Sequence, residues 1–262
     1  MSVIKTPEQV LKMKKSAAVL ADCLDILESE AKTKAGMTGR ELDALAETFI
    51  RDNGGIPAFK NYSMSPGVPG FPASICFSRN HVLVHGIPDD KPIEDGDILT
   101  IDCGLSIDGW FADFARLFGV GNISEEDERI MNASHKALHE GIKACRPGNR
   151  LSDISNSIQS SIFNSRYENV LQFCGHAIGR EMHEAPQVPN FGRPGRGITL
   201  KPGMVFCLEP MLLKHKVGLG VLPDKWTIVT LDGSRATHVE HMVLITENGP
   251  EVLSHGGNTR KL

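Results

Sequence analysis

One pattern occurs twice in this chain and constrains its fold more than any other feature. The segment Glu94-Asp-Gly-Asp-Ile-Leu-Thr-Ile-Asp102 resembles Lys201-Pro-Gly-Met-Val-Phe-Cys-Leu-Glu209. Each is a glycine-bearing turn, an apolar run of strand length, and a carboxylate at its end. Each follows two stretches of helical spacing and precedes a strand pattern bearing a second acid, Asp113 or Glu240. Two related halves facing one another would bring four carboxylates together.

The helices have legible starts. Thr6, Pro7 and Gln9 form a capping box ahead of Val10, Met13, Ala17, Leu20, Leu24 and Leu27, which recur at helical spacing. Thr38 and Glu41 repeat the box ahead of Leu42, Leu45 and Phe49, and Gly54-Gly55 ends that helix. Residues 56–72, rich in Pro, Gly and Ser, read as a loop. Further helices are predicted from Ser124 to about Cys145 and from about Leu151 to Arg166. Strands are predicted at Ser74–Ser78, Ile98–Cys103, Trp110–Phe118, Val170–Phe173, Met204–Pro210, Trp226–Leu231 and His238–Thr246. Helices and strands come in runs, so the fold class is α+β rather than a parallel doubly wound sheet.

Composition narrows the function classes. The 262 residues, 40% hydrophobic and 23% charged, are those of a globular protein, not a disordered or fibrous one. A net charge of −4 gives no reason to expect nucleic acid or an anionic membrane as partner. No apolar run approaches the ~20 residues of a membrane helix, and the first residues lack a signal-peptide core. The six cysteines form no Cys-x-x-Cys pair and are expected as reduced thiols in a cytoplasmic protein. Cys103, Cys174 and Cys207, close to the acids in sequence, are expected as small packing residues.

Four acids stand inside apolar runs: Asp102, Asp113, Glu209 and Glu240. A buried carboxylate costs several kcal/mol unless it is paired or bound to a metal. Singly, each would read as an exposed or capping acid; symmetrically placed, the four point to a shared site. His176 in Cys-Gly-His-Ala-Ile-Gly has glycines beside it that allow close approach of a ligand or of backbone. His183 precedes Glu-Ala-Pro, and His85 opens a turn after a strand-like run. An imidazole with four carboxylates suits manganese, iron, cobalt or zinc. The four negative charges match two divalent ions with two acids bridging, a pair able to activate water. No zincin helix, nucleotide loop or nucleophile elbow is present. His81 and His85 have Val82 where a zincin needs Glu, and the 192–197 glycines follow no strand.

At these residues the chain resembles the type I methionine aminopeptidases. The matching segments are His85-Gly-Ile-Pro-Asp-Asp, Gly96 to Asp102, Cys174-Gly-His-Ala-Ile-Gly, His183-Glu-Ala-Pro-Gln-Val, Leu200-Lys-Pro-Gly-Met, Glu209-Pro-Met and Glu240-His. The resemblance runs from about Ile4 to Leu253 and implies one catalytic domain over 1–262. It implies the pita-bread fold, two pseudo-symmetric halves with a curved antiparallel sheet flanked by helices. It implies two divalent ions per chain (cobalt, manganese, iron or zinc) on Asp102, Asp113, His176, Glu209 and Glu240, with Asp113 and Glu240 bridging. The implied catalytic residues are Glu209 as proton shuttle, with His85 and His183 at the scissile amide and its carbonyl oxygen. Phe71 and Trp226 match the methionine pocket, and Phe59 is aligned there more loosely. The activity implied is hydrolytic removal of the initiator methionine from nascent N-termini near the ribosome, by a monomeric cytoplasmic enzyme. A hydroxide held between the ions attacks the first peptide bond, and small second residues are preferred. The chain's own Met1-Ser2 would be a substrate.

Three departures from the family pattern stand out. Phe114 occupies a position where Thr is common, Met182 one where an aromatic is common, and the Asn61–Gly70 loop is long. Nothing before residue 4 resembles the zinc-binding extension of eukaryotic cytosolic forms, which implies a bacterial-type enzyme or a paralogue. Two rival readings remain: an X-Pro aminopeptidase or prolidase-like hydrolase sharing the ligand set, and a non-catalytic binding protein that kept the fold.

Overall fold

A computed structural model describes residues 3–63 and 67–254. Met1-Ser2 and part of the 61–70 loop therefore lie outside the described residues. The first half runs α1 (Pro7–Thr33), α2 (Gly39–Asp52), β1 (Ile56–Pro57), β2 (Ile75–Arg79), β3 (Val82–Val84), β4 (Ile98–Ile107) and β5 (Trp110–Gly119). The second runs α3 (Glu125–Ala144), α4 (Leu151–Phe163), β6 (Glu168–Asn169), β7 (Cys174–Ala177), β8 (Glu184–Pro189), β9 (Val205–Leu208), β10 (Met211–Leu213), β11 (Leu219–Val221), β12 (Ile228–Thr230), β13 (Ala236–His238), β14 (His241–Thr246) and β15 (Gly249–Val252). The expected two-helix prelude to each half's acid-bearing run is thus real, although β4 continues past Asp102 to Ile107. No helix among the described residues is long and apolar enough to cross a membrane.

Both predicted capping boxes form: Thr6 Oγ1 accepts from Gln9 N, and Thr38 Oγ1 from Glu41 N. The α1 stripe of Met13, Ala17, Leu20, Leu24 and Leu27 is wholly buried against β4 and β5. Each large side chain there contributes roughly 1.5–3 kcal/mol. Helices α3 and α4 bury Ile130, Leu138, Ile154 and Ile158 against the second half in the same way.

Among the described residues the paired strands are all antiparallel and divided among four sheets. One carries β4 between β5 and β2; another has the order β15-β14-β9-β7-β8. Every residue of β4 is buried, because helices cover one face and the site the other. The halves join where Ala115 and Glu240 exchange backbone hydrogen bonds of 3.4 and 3.5 Å, and where Thr100 Oγ1 donates to His238 O at 2.8 Å.

Several predicted boundaries are corrected. The Val170–Phe173 run is not a strand; it lies between β6 and β7, with Val170 packed on Met211 and Leu213, and Leu171 exposed. The helix expected to reach Arg166 ends at Phe163. The predicted strands over 204–210 and 238–246 each break at an acid, giving β9 and β10 around Glu209 and β13 and β14 around Glu240. Strands β9 and β14 pair in one sheet, β10 and β13 in another. Both glutamates therefore sit where paired strands pass from one sheet to the next.

Candidate active site

The break in the ladders frees the two glutamate side chains to meet those of β4 and β5. A cavity of about 510 Å³ is lined by all ten residues singled out in the sequence: Phe59, Phe71, His85, Asp102, Asp113, His176, His183, Glu209, Trp226 and Glu240. Asp102 and Asp113 come from adjacent strands of the first half, and His176 comes from β7 of the second. Gly175 explains the glycine beside that histidine. A Cβ there would lie 2.2 Å from Cys207 O, so the close approach is of backbone. His85 holds a left-handed φ of 57°, which turns its ring into the cavity against Trp226 and Phe173.

Ligating atoms of Asp102, Asp113 and Glu240 all lie within 4.8 Å of one another. His176 Nε2 is 3.9 Å from Asp113 Oδ2 and 3.8 Å from Glu209 Oε1. Asp102 Oδ1, Asp113 Oδ1 and Glu240 Oε1 are buried without a hydrogen-bond partner among the described residues. No lysine or arginine lines the cavity among the described residues. Burial pushes the Asp102 carboxyl up to about 7, against a hydrogen bond from the Cys103 N–H. Burial, then repulsion from Glu240 and Asp102, holds Asp113 well above the carboxylate range. Glu209 and Glu240 are raised likewise, by burial and then by the other acids. Burial takes His176 down to about 3 and His85 to about 4, so both are neutral. Neutral imidazoles, clustered acids, orphaned oxygens and no basic side chain make a donor set fit for divalent cations.

Beside the acids lies an apolar pocket. Phe59, Phe71, Ala73, Cys76, Met182 and Trp226 form one buried cluster. Phe71 meets Phe59 and Trp226 edge-on, with ring centroids 6.5 and 5.2 Å away. The Trp226 indole N–H donates to Pro69 O at 2.9 Å, tying the wall to the 61–70 loop. Met182 is thus part of the pocket wall. Phe114 faces the other way, into the α1-side core, and Asp113 Oδ1 gains no partner from it.

Against the family models, residues 11–247 match metallopeptidase family M24. A methionine aminopeptidase of Clostridium perfringens is 43% identical over 254 residues, covering 97% of this chain and 99% of that one. The chain belongs to the M24 metallopeptidases, among their methionine aminopeptidases. It is a hydrolase. The crystal structure of methionine aminopeptidase from Rickettsia prowazekii superposes with a TM-score of 0.90 at 37% identity, over 96% of this chain and 98% of that one. That likeness establishes the pita-bread, α+β fold. A prolidase from Pyrococcus furiosus also matches, with a TM-score of 0.77 at 25% identity, but only 66% of its chain is covered.

Among the cavity residues that sequence reasoning missed, Tyr62 and His238 bear on the site's chemistry. Tyr62 Oη lies 2.8 Å from His183 Nδ1, and it comes from a loop with no periodicity to reveal it. His238 is buried with Nε2 unpartnered, 3.8 Å from Glu240 Oε2 and 4.0 Å from Glu209 Oε2. Its signal was available: it stands two residues before Glu240 in a strand pattern, hence on the same face.

Proposed function

We propose that this enzyme removes the N-terminal methionine of nascent polypeptides whose second residue is small. The observation that carries the reading is the juxtaposition, in one cavity, of three orphaned, buried carboxylate oxygens with the apolar wall of Phe59, Phe71, Met182 and Trp226. Asp102, Asp113, His176, Glu209 and Glu240 would hold two divalent ions, with Asp113 and Glu240 shared. Cobalt, manganese, iron or zinc bound there would supply Lewis acidity and a water of lowered pKa.

The remaining chemistry belongs to the chain's own side chains. Phe59, Phe71, Met182 and Trp226 surround the methionine side chain and exclude water from it. Ionised, the carboxylate of Glu209 takes a proton from water at an Oε atom and returns it to the leaving amine. His183 donates a hydrogen bond to the scissile carbonyl oxygen, where charge develops. His85, neutral and set by its left-handed backbone, reaches the scissile amide.

The test is methionine release from Met-Ala-Ser and Met-Leu-Ser by metal-free protein, with Mn²⁺, Co²⁺, Fe²⁺ or Zn²⁺ added back and Glu209→Ala as control. Metal-dependent release from the first peptide alone, abolished in the control, is the expected result. No release with any ion from folded protein overturns the proposal. Cleavage of X-Pro peptides instead would transfer it to the prolidase-like activity.

A further inference from the structure

The carboxylate of Glu209 lies between two imidazoles. His176 Nε2 stands 3.8 Å from its Oε1, and His238 Nε2 stands 4.0 Å from its Oε2. His238 Nε2 also faces Glu240 Oε2 at 3.8 Å. These separations exceed a hydrogen bond, and the nitrogen has no partner among the described residues although His238 is 3% exposed. The backbone that carries the ring is held on both sides. Its residue pairs with Met211 across β13 and β10, and its carbonyl accepts from Thr100 in the other half of the molecule.

Metal–nitrogen and metal–oxygen bonds are about 2.0–2.2 Å, so two donors on one ion lie between about 3.0 Å apart when adjacent and 4.3 Å when opposite. The His238 separations from both glutamates fall inside that span, as do those of His176. His176 also meets Asp113 Oδ2 at 3.9 Å and clusters with Cys207 and Glu240, whereas His238 faces the two glutamates.

We propose that His238 is a further metal ligand of this centre, contributing a second imidazole nitrogen through Nε2. This rests on the metal-bearing reading above. The consequence is a donor set richer in nitrogen, which shifts preference toward cobalt and zinc and away from manganese and magnesium.

The experiment loads the full-length protein with Co²⁺ and counts the hyperfine-shifted histidine ring resonances by proton NMR, one set per coordinated imidazole. Two sets are expected in the unmodified protein, one in His238→Gln, and two in His183→Gln. Calorimetric titration of His238→Gln is expected to lose at least the roughly 10–100-fold in Co²⁺ affinity that follows loss of an outer-shell partner, and less for Mn²⁺. One set in the unmodified protein, or two sets surviving in His238→Gln, overturns the assignment, whatever the affinity does. His238→Asn serves should the glutamine variant fail to fold. Absence of any bound cobalt in the unmodified protein would instead sink the metal-bearing reading, and this inference with it.

Discussion

The phenol of Tyr62 is hydrogen-bonded to His183, with Oη 2.8 Å from Nδ1. Burial and the nearby Asp113 charge hold the phenol above its usual pKa, so it keeps its proton. Burial holds the imidazole below its own, so the ring is neutral. Ligating atoms of His183, Asp113 and His176 lie within 4.8 Å of one another. With the phenol O–H donating to Nδ1, the ring carries its proton on Nε2, the tautomer able to donate to a carbonyl oxygen.

Tyr62→Phe keeps the ring and removes that bond. The expected loss is about 1–2 kcal/mol of transition-state stabilisation, roughly 5–30-fold in kcat, with KM little changed. Steady-state kinetics on Met-Ala-Ser check it; an unaltered kcat with a raised KM would show that Tyr62 serves the pocket instead.

Without metal, the site should make stability fall at alkaline pH. A carboxyl whose pKa is raised on folding stabilises while it holds its proton, and that contribution disappears as pH rises through the folded value. Asp102, at about 7, and the higher Asp113, Glu209 and Glu240 all behave this way. The buried histidines act oppositely. His85 at about 4 and His176 and His238 at about 3 lose stability as pH falls below about 6.5. Between roughly pH 4 and 6.5 the two groups oppose each other. Above it only the carboxyls still change. Calorimetry of chelator-treated protein should give a Tm that declines from about pH 6.5 to 8.5, and Co²⁺ or Mn²⁺ should remove the decline. A flat profile in the metal-free protein contradicts the charge repulsion derived for the site.

Gly175→Ala tests the backbone approach beside His176. The added Cβ would meet Cys207 O at 2.2 Å and Val188 O at 3.4 Å. Strand β7 is held between β8 and β9, so neither side can retreat. A loss of about 3 kcal/mol is expected, or roughly 6–12 °C in Tm for a chain of this size. A shift under about 2 °C would mean that the sheet opens there more readily than its pairing implies.

The helices were legible because their signals are local. The Thr6 and Thr38 boxes and the 3–4 spacing after them owe nothing to the rest of the chain. The acids were legible for the opposite reason: a carboxylate inside an apolar run conflicts with its surroundings, and the conflict marks a site. The breaks at Glu209 and Glu240 were not visible, since either run could continue as one strand. Only the passage of paired strands between two sheets separates β9 from β10 and β13 from β14. Tyr62 was hidden because its partner lies 121 residues away in sequence. The Val170–Phe173 run misled because its side chains serve three different surroundings: the core, solvent and the cavity.

The loop bearing Met182 and His183 depends on a buried ion pair. Lys5 Nζ lies 2.5 Å from Glu184 Oε2, with both side chains almost wholly buried. Glu184 Oε1 accepts from the backbone of Arg180 at 2.7 Å and of Glu181 at 3.4 Å, so this carboxylate closes the loop. Lys5 is itself fixed by its N–H donating to Gly203 O. Lys5→Met leaves a buried carboxylate without its cation, at an expected cost of about 3–5 kcal/mol. The same change should lower kcat, because His183 is then held by Tyr62 alone. Adding Glu184→Gln keeps an acceptor for the two N–H groups and removes the uncompensated charge. The double variant should therefore regain more than half of the stability lost in Lys5→Met. Strictly additive losses in a denaturant-melt cycle would mean that the two side chains act independently.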